Sequence, residues 1–598
     1  MLFFRRKPAR TSCTPADLPG ASPLVRLDGA AKAALDAGRT RVVIAGMLFG
    51  IAFAVMAGRL VQLTLLTSGE PALARGGVNI SPPPEQVVMD RQSITDRNGV
   101  LLATNLRTAS LYAEPKKILN AQEAAARLVQ ELPDLSEADV RARLSSGKSF
   151  AWIKRNLTPK QHAAVNRLGI PGLGFQNEQR RVYPQASLAA HVLGFTDVDG
   201  KGIAGIEQFF DETLRDPARS GETLRLSLDA RVQHAMRDEV ARAIGEFRAL
   251  RGGGLVLDIH TGELLSLVSL PDFDPANPIA EVLVNGEEKI DPRFNIMTLG
   301  VFEMGSTMKT LNTAMALDAG TVRLTGGYDA SAPIKFGRFT IRDDHPKNRW
   351  LSVPEIFMYS SNIGSAKMAL DVGPAGQRAF LDKLGLLTRP TIELPEAGSP
   401  LVPRNWKTVE TMTIAFGHGI SITPLQLATS TAAVVNGGVL HPATLVKRDP
   451  SLPVPGTQVI AQQTSDTMRK LLHLVVEDGT GKKATVDGYL VGGKTGTSEK
   501  VGRKGGYNKK ALFNTFIAAF PMNAPRYIVM VSLDEPKGNK STFGYATAGW
   551  TAAPAAGRVI ARIAPLLGIQ PVDEDSPEIR QAMAVTIPSK PEKKLASY

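Results

Sequence analysis

The stretch VFEMGSTMKT, residues 301–310, poses the question on which the fold and the chemistry both turn. Its Gly305-Ser306 pair opens an apolar run from Met308 to Met315 that reads as a helix, so Ser306 is either a helix cap or a nucleophile the helix presents. Positions i and i+3 share a helix face, which lets the Lys309 amine reach the Ser306 hydroxyl. A serine attacks only after a neighbour takes its proton, and a lysine takes it only when its amine is neutral. Burial or a second nearby cation produces that neutral amine. A helix N-terminus adds backbone N–H groups that favour the oxyanion formed in acyl transfer.

Two more motifs follow in order: SSN at 360–362 and KTGT at 494–497. If the three converge, Lys494 is the second cation, and Ser360 and Asn362 supply a proton relay and a carbonyl-binding amide. The segment GGKTGT follows the apolar DGYLV and reads as a strand whose glycines let a substrate backbone lie along its edge, with Lys494, Thr495, Gly496 and Thr497 as the binding residues. Each motif alone is weak. SSGK at 145–148 also satisfies Ser-x-x-Lys, and there a solvated loop is the better reading.

Outward from these motifs, GGGLVLDIHTGELLSLVSLP (252–271) reads as two strands about a turn at 260–263, and NTFIAAFPMNAPRYIVMVSL (514–533) repeats the pattern about Asn523. Helical patterns begin at Asp229 and Ala553. Hairpins at both ends with helices between and outside them place this region in the α+β class, an antiparallel sheet flanked by helices. Its expected span is 226–569. Before it, 67–225 mixes short strands, with a turn at Asn98-Gly99, and a helix over 121–132, and it contains no dense catalytic constellation. After it, 570–598 is rich in proline and charge and is expected to be a loose tail.

The chain has 598 residues, 43% hydrophobic and 21% charged, which is globular and long enough for several domains. Residues 42–58, VVIAGMLFGIAFAVMAG, lack any charge, and LVQLTLL continues past Arg59. This predicts one membrane-spanning anchor over 42–66. A cleavable signal peptide is disfavoured because 41 residues precede the run. Those residues, 1–41, carry Arg5, Arg6, Lys7, Arg10, Arg26, Lys32, Arg39 and Arg41 against three acids, which places them in the cytoplasm and the rest of the chain outside. SPPPEQ at 81–86 reads as a stiff spacer. The only cysteine, Cys13, lies in the cytoplasmic tail, so neither disulfides nor thiolate chemistry operate outside. The net charge of +13 suits an anionic neighbourhood, and export argues against nucleic acid. His418, in FGHGIS, has no HExxH or cysteine partner and is expected beside a turn near the site; no metal and no cofactor are implied. Asp258 and Glu263 flank a hairpin turn and are expected as solvated turn carboxylates.

A serine-lysine motif followed by Ser-x-Asn and Lys-Thr-Gly resembles the arrangement of penicillin-binding proteins. The chain resembles the class B penicillin-binding proteins, monofunctional D,D-transpeptidases, and most closely those of the septal FtsI type. RQSITDRNGVLLA (91–103), RVYPQASLAAHVLGFTDVDGKGIAGIE (181–207), GLVLDIHTGELLSLVSLPDFDPANP (254–278) and AFGHGISITPLQLA (415–428) extend the likeness over most of 91–567. Gln92 and Met304 depart from the family pattern, which commonly has Gly and Pro there, and neither is catalytic.

The resemblance implies a transpeptidase domain carried on an elongated α+β pedestal of the dimerisation type. Ser306 is implied to attack the penultimate D-alanine carbonyl of a peptidoglycan stem, with Lys309 as base, Ser360 as proton relay and Asn362 orienting the substrate amide. Lys494, Thr495 and Thr497 would bind the terminal carboxylate, and the N–H groups of Ser306 and Thr497 would form the oxyanion hole. β-Lactam antibiotics would acylate the same serine. Arg181 and Glu207 are expected to fix the packing of the pedestal against the catalytic domain. The implied partners are an FtsW-type lipid II polymerase and other division proteins, and the implied place is the bacterial inner membrane at the septum, with the catalytic domain in the periplasm. The competing readings are an elongation-specific transpeptidase, a D,D-carboxypeptidase, a β-lactamase, and a catalytically quiet β-lactam-binding sensor or scaffold.

Overall fold

A computed structural model describes residues 29–61 and 91–588, apart from 287, 338 and 503–505. Most of the expected cytoplasmic tail, residues 62–66 of the expected anchor, the SPPPEQ spacer and the last ten residues lie outside the described residues. The chain divides into two units, 1–86 and 87–598.

Among its described residues the first unit holds one helix, α1 (Gly29–Val61). Its apolar side chains, among them Ile44, Met47, Leu48, Phe49, Ile51, Phe53 and Val55, are more than half exposed. Among the described residues no helix is long and apolar enough to cross a membrane, so the structure does not support the expected span, whose last five residues lie outside the described ones.

The second unit begins with a mixed sheet of β1 (Ser93–Thr95), β2 (Leu101–Ala113), β3 (Ala151–Leu157), β4 (Leu173–Val182) and β5 (Thr223–Arg225). The long β2 pairs antiparallel with β1, β3 and β4, and β1 runs parallel to β5. Asp96 shapes the turn at Asn98-Gly99: its Oδ1 accepts from the N–H groups of Asn98 and Val100. The expected helix is Ala121–Glu131, capped by Asn120, and it buries Ala124, Ala125 and Leu128 with Leu111 and Ile153. The decoy Ser145 and Lys148 sit in an exposed turn.

Glu207 is fully buried and receives the Nε atoms of both Arg91 and Arg181 at 2.6 Å. All three residues belong to the pedestal, so Arg181 and Glu207 lock that region to itself rather than to the catalytic domain. The contact expected of them is made two residues upstream, where the Gly205 N–H meets the carboxylate of Glu396 at 3.2 and 3.3 Å.

The catalytic region is built on β6 (Arg251–Asp258), β7 (Leu264–Leu270), β8 (Gly492–Val501), β9 (Tyr507–Phe520) and β10 (Tyr527–Asp534). Their order is β8-β9-β10-β6-β7, antiparallel throughout. Both expected hairpins are present, and β10 joins them by pairing Val529 with Val256. Each central strand is buried on both faces. Val256, Val529 and Val531 pack with α2 (Ala230–Phe247) and α7 (Ala552–Leu566), while Leu255, Leu257, Ile528 and Met530 share a core with Leu311 of α3 (Met308–Asp318), Ala432 of α5 (Pro424–Val435) and Leu471 of α6 (Gln462–Glu477). α4 (Asn362–Lys383) runs beside α3. Burying such side chains contributes about 1.5–3 kcal/mol each, which is why the strands read as continuous apolar runs rather than alternating ones.

Two expectations are corrected here. Asp258 and Glu263 are turn residues, but they are buried rather than solvated: Asp258 accepts from the His260 N–H and pairs with Arg526, and Glu263 accepts from the Arg448 N–H. The segment after Gln570 is not loose where it is described. It forms α8 (Pro577–Met583), and Val572, Ile579, Met583 and Val585 pack against the core because these apolar residues are spaced to face it.

Candidate active site

Ser306 lies in a single 3-10 turn, Gly305–Thr307, that leads into α3. The cap position of α3 is Thr307, whose Oγ1 donates to the Met304 carbonyl, so Ser306 is not spent as a cap. Lys309 follows on the same face and places Nζ 2.8 Å from Ser306 Oγ. The same amine lies 2.6 Å from Asn362 Oδ1, 3.1 Å from Ser360 Oγ and 2.8 Å from the Ser360 carbonyl. Lys494, arriving on β8, places its Nζ 3.0 Å from Ser360 Oγ. The serine-lysine, SSN and KTGT motifs therefore meet around two lysines, with Ser360 between them.

Neither amine touches bulk water. Burial pulls Lys309 down to about 7, against a smaller opposing pull from Asp344 and Asp343. Lys494 is also well below the ordinary lysine range, first through burial and then through repulsion from Lys309. The physical cause of a neutral Lys309 is thus desolvation, and the second cation expected to supply it is itself depressed by Lys309.

Glycines bring the pieces into register. Gly305 has φ +54°, and a β-carbon there would stand 2.7 Å from the Thr497 carbonyl oxygen. Gly417 packs on the other side of the same turn, accepting from the Gly305 N–H through its carbonyl at 3.2 Å. Gly496 lies against the Met304 carbonyl. β8 is an edge strand, as expected of the KTGT segment, and it sets the backbones of Gly305 and Thr497 side by side. Thr495 and Thr497 share one side of it: Thr495 Oγ1 lies 2.8 Å from Thr480 Oγ1, and Thr497 Oγ1 accepts from the Ala548 N–H at 3.0 Å. His418 follows Gly417 in the turn, its ring edge-on to Tyr507.

Sequence reasoning missed Asp343, Thr480 and the loop that carries Ala548. Asp343 stands in IRDDHPKN, which reads as a solvated charged run, and Thr480 in EDGTGKK, which reads as a turn. Only their contacts across the chain reveal them.

Residues 252–559 match the model of the penicillin-binding protein transpeptidase domain, and 87–224 match that of the penicillin-binding protein dimerisation domain. A curated relative from Caulobacter vibrioides, a probable peptidoglycan D,D-transpeptidase FtsI, is 41% identical over 80% of this chain and 82% of its own. A probable peptidoglycan D,D-transpeptidase PenA from Neisseria meningitidis is 34% identical over 80% of this chain and 85% of its own. Among solved structures, penicillin-binding protein 3 of Mycobacterium tuberculosis, complexed with aztreonam, shares the fold with a TM-score of 0.64 at 23% identity, covering 84% of this chain and 99% of that one.

Proposed function

The chain belongs to the penicillin-binding protein transpeptidase family, and from that premise we propose that it is a serine D,D-transpeptidase that cross-links peptidoglycan stem peptides. The observation that carries the reading is the buried amine of Lys309 in contact with Ser306, Ser360 and Asn362 at once.

The Ser306 hydroxyl gives its proton to neutral Lys309 as its oxygen bonds to the penultimate D-alanine carbonyl carbon. The backbone N–H groups of Ser306 and Thr497 hold the developing oxyanion. The carbon–nitrogen bond to the terminal D-alanine breaks, and the proton passes from Lys309 through Ser360 to the leaving amine. An amine from a neighbouring stem then attacks the ester, returns a proton by the same relay and regenerates Ser306. Asn362 orients the stem amide, and Lys494, Thr495, Gly496 and Thr497 receive the terminal carboxylate along β8. A β-lactam, which mimics the D-Ala-D-Ala end, acylates the same oxygen. Labelling with a fluorescent penicillin tests this: the native chain is labelled and Ser306→Ala is not, and equal labelling of both would remove Ser306 from the role.

The septal assignment is supported by the FtsI-type relative, and an FtsW-type lipid II polymerase and other division proteins are the partners that assignment implies. Attachment to the inner membrane through α1 and the residues that follow it is supported by the exposed apolar side chains of α1 and the basic residues before it. A fluorescent fusion enriched at midcell supports the septal role, and an even sidewall distribution favours an elongation enzyme.

A further inference from the structure

The SSN turn is held from behind by a segment that no motif identifies. Strand Phe339–Ile341 ends against α4, and the next two residues grip the turn at three successive positions. Ser361 Oγ donates to Asp343 Oδ2 at 2.8 Å, Asn362 Nδ2 donates to the Arg342 carbonyl at 2.9 Å, and the Ile363 N–H donates to Asp343 Oδ1 at 2.9 Å. Ser361 Oγ in turn accepts from the Gly364 N–H and caps α4.

This grip has consequences for the two groups that face Lys309. Ser360 sits at φ +59°, a left-handed conformation that a residue with a β-carbon adopts only when its surroundings impose it. Asn362 could present either end of its amide to Lys309. The Arg342 carbonyl can only accept, so it takes Nδ2 and leaves Oδ1 to meet the amine. We propose that Asp343 is a positioning residue of the active site, clamping the Ser360–Asn362 turn so that Ser360 Oγ and Asn362 Oδ1 point at the Lys309 amine. The proposal rests on the reading of Lys309 as the base that serves Ser306.

The same segment also supplies charge. The ionisable groups that face Lys309 are Lys494 from β8 and the carboxylates of Asp343 and exposed Asp344; α3 itself adds only Asp318 at its far end, engaged with the Ala461 N–H and Thr464. The two carboxylates stabilise the protonated amine and so oppose burial. Removing either one lets Lys309 lose its proton at lower pH, an effect that loss of packing alone does not produce.

The test is single-turnover acylation of the full chain by a fluorescent penicillin from pH 5 to 9, separating the limiting rate from the apparent binding constant. Asp343→Ala is expected to lower the limiting rate at least tenfold, with the binding constant within threefold, and to move the acid limb to lower pH. Asp343→Asn, which keeps one carbonyl oxygen for the Ile363 N–H, is expected to recover part of the rate while the limb stays shifted. Asp344→Asn, which breaks no bond to the turn, is expected to move the limb in the same direction. A folded Asp343→Ala that acylates within twofold of the native chain at every pH would overturn the proposal; if that variant does not fold, Asp343→Asn is judged by the same criterion. If the native chain is not labelled at all, the active-site reading fails before the role of Asp343 is reached.

Discussion

Gly305 lies so close to Thr497 that a β-carbon would overlap the carbonyl oxygen across from it, at 2.7 Å, in a backbone conformation that L side chains rarely adopt. Gly305→Ala must therefore either shift the nucleophile turn or push β8 outward. The expected result is a fall of about 100-fold in acylation rate, in line with the loss produced by a misplacement of about 1 Å. The expected loss of stability is about 1–3 kcal/mol, the usual range for a strained backbone. Stopped-flow labelling and a thermal melt measure the two separately.

The pH dependence follows from Lys309. In the proposed mechanism its neutral form is the base, and burial brings its pKa to about 7. Lowering the pH protonates the amine, so the acylation rate is expected to fall below about pH 7, approaching tenfold per pH unit. A rate flat from pH 8 to 5 would show that another group takes the proton.

Glu207 is fully buried between Arg91 and Arg181, and removing it leaves the buried Arg181 guanidinium with no carboxylate partner and Arg91 with Asp211 alone. Glu207→Ala is expected to destabilise that region by about 3–5 kcal/mol, the range for breaking a buried pair by deleting one partner. Denaturant unfolding followed by proteolysis within 91–225 reads this out. An unchanged pedestal midpoint would contradict it.

The residues that meet around Lys309, namely Ser306, the SSN turn and the KTGT strand, were legible in the sequence because each motif demands particular residue types at short spacing. The two hairpins were legible because turn residues punctuate apolar runs. Several features could not be read for one common reason: they depend on contacts between distant residues. Asp343 reaches Ser361 across 18 positions, Gly205 meets Glu396 across 191, and Asp258 is buried by Arg526. Which of the two expected causes, burial or a second cation, lowers the Lys309 pKa could not be decided on the same ground, since a helix seen alone gives no measure of how completely the fold excludes water from the amine. Ile579 and Met583 show the converse error: a proline-rich, charged segment still docks when a few apolar residues meet a core.

The strand order β8-β9-β10-β6-β7 also governs when the enzyme comes into being. β6 and β7 are made early and must wait for β10, which arrives after nearly half the chain has been synthesised between them. β8, with Lys494, is likewise late, so a nascent chain that already carries Ser306 has no reactive centre. Long-range closure of this kind is slow, so the reactive centre assembles only once these late strands are in place.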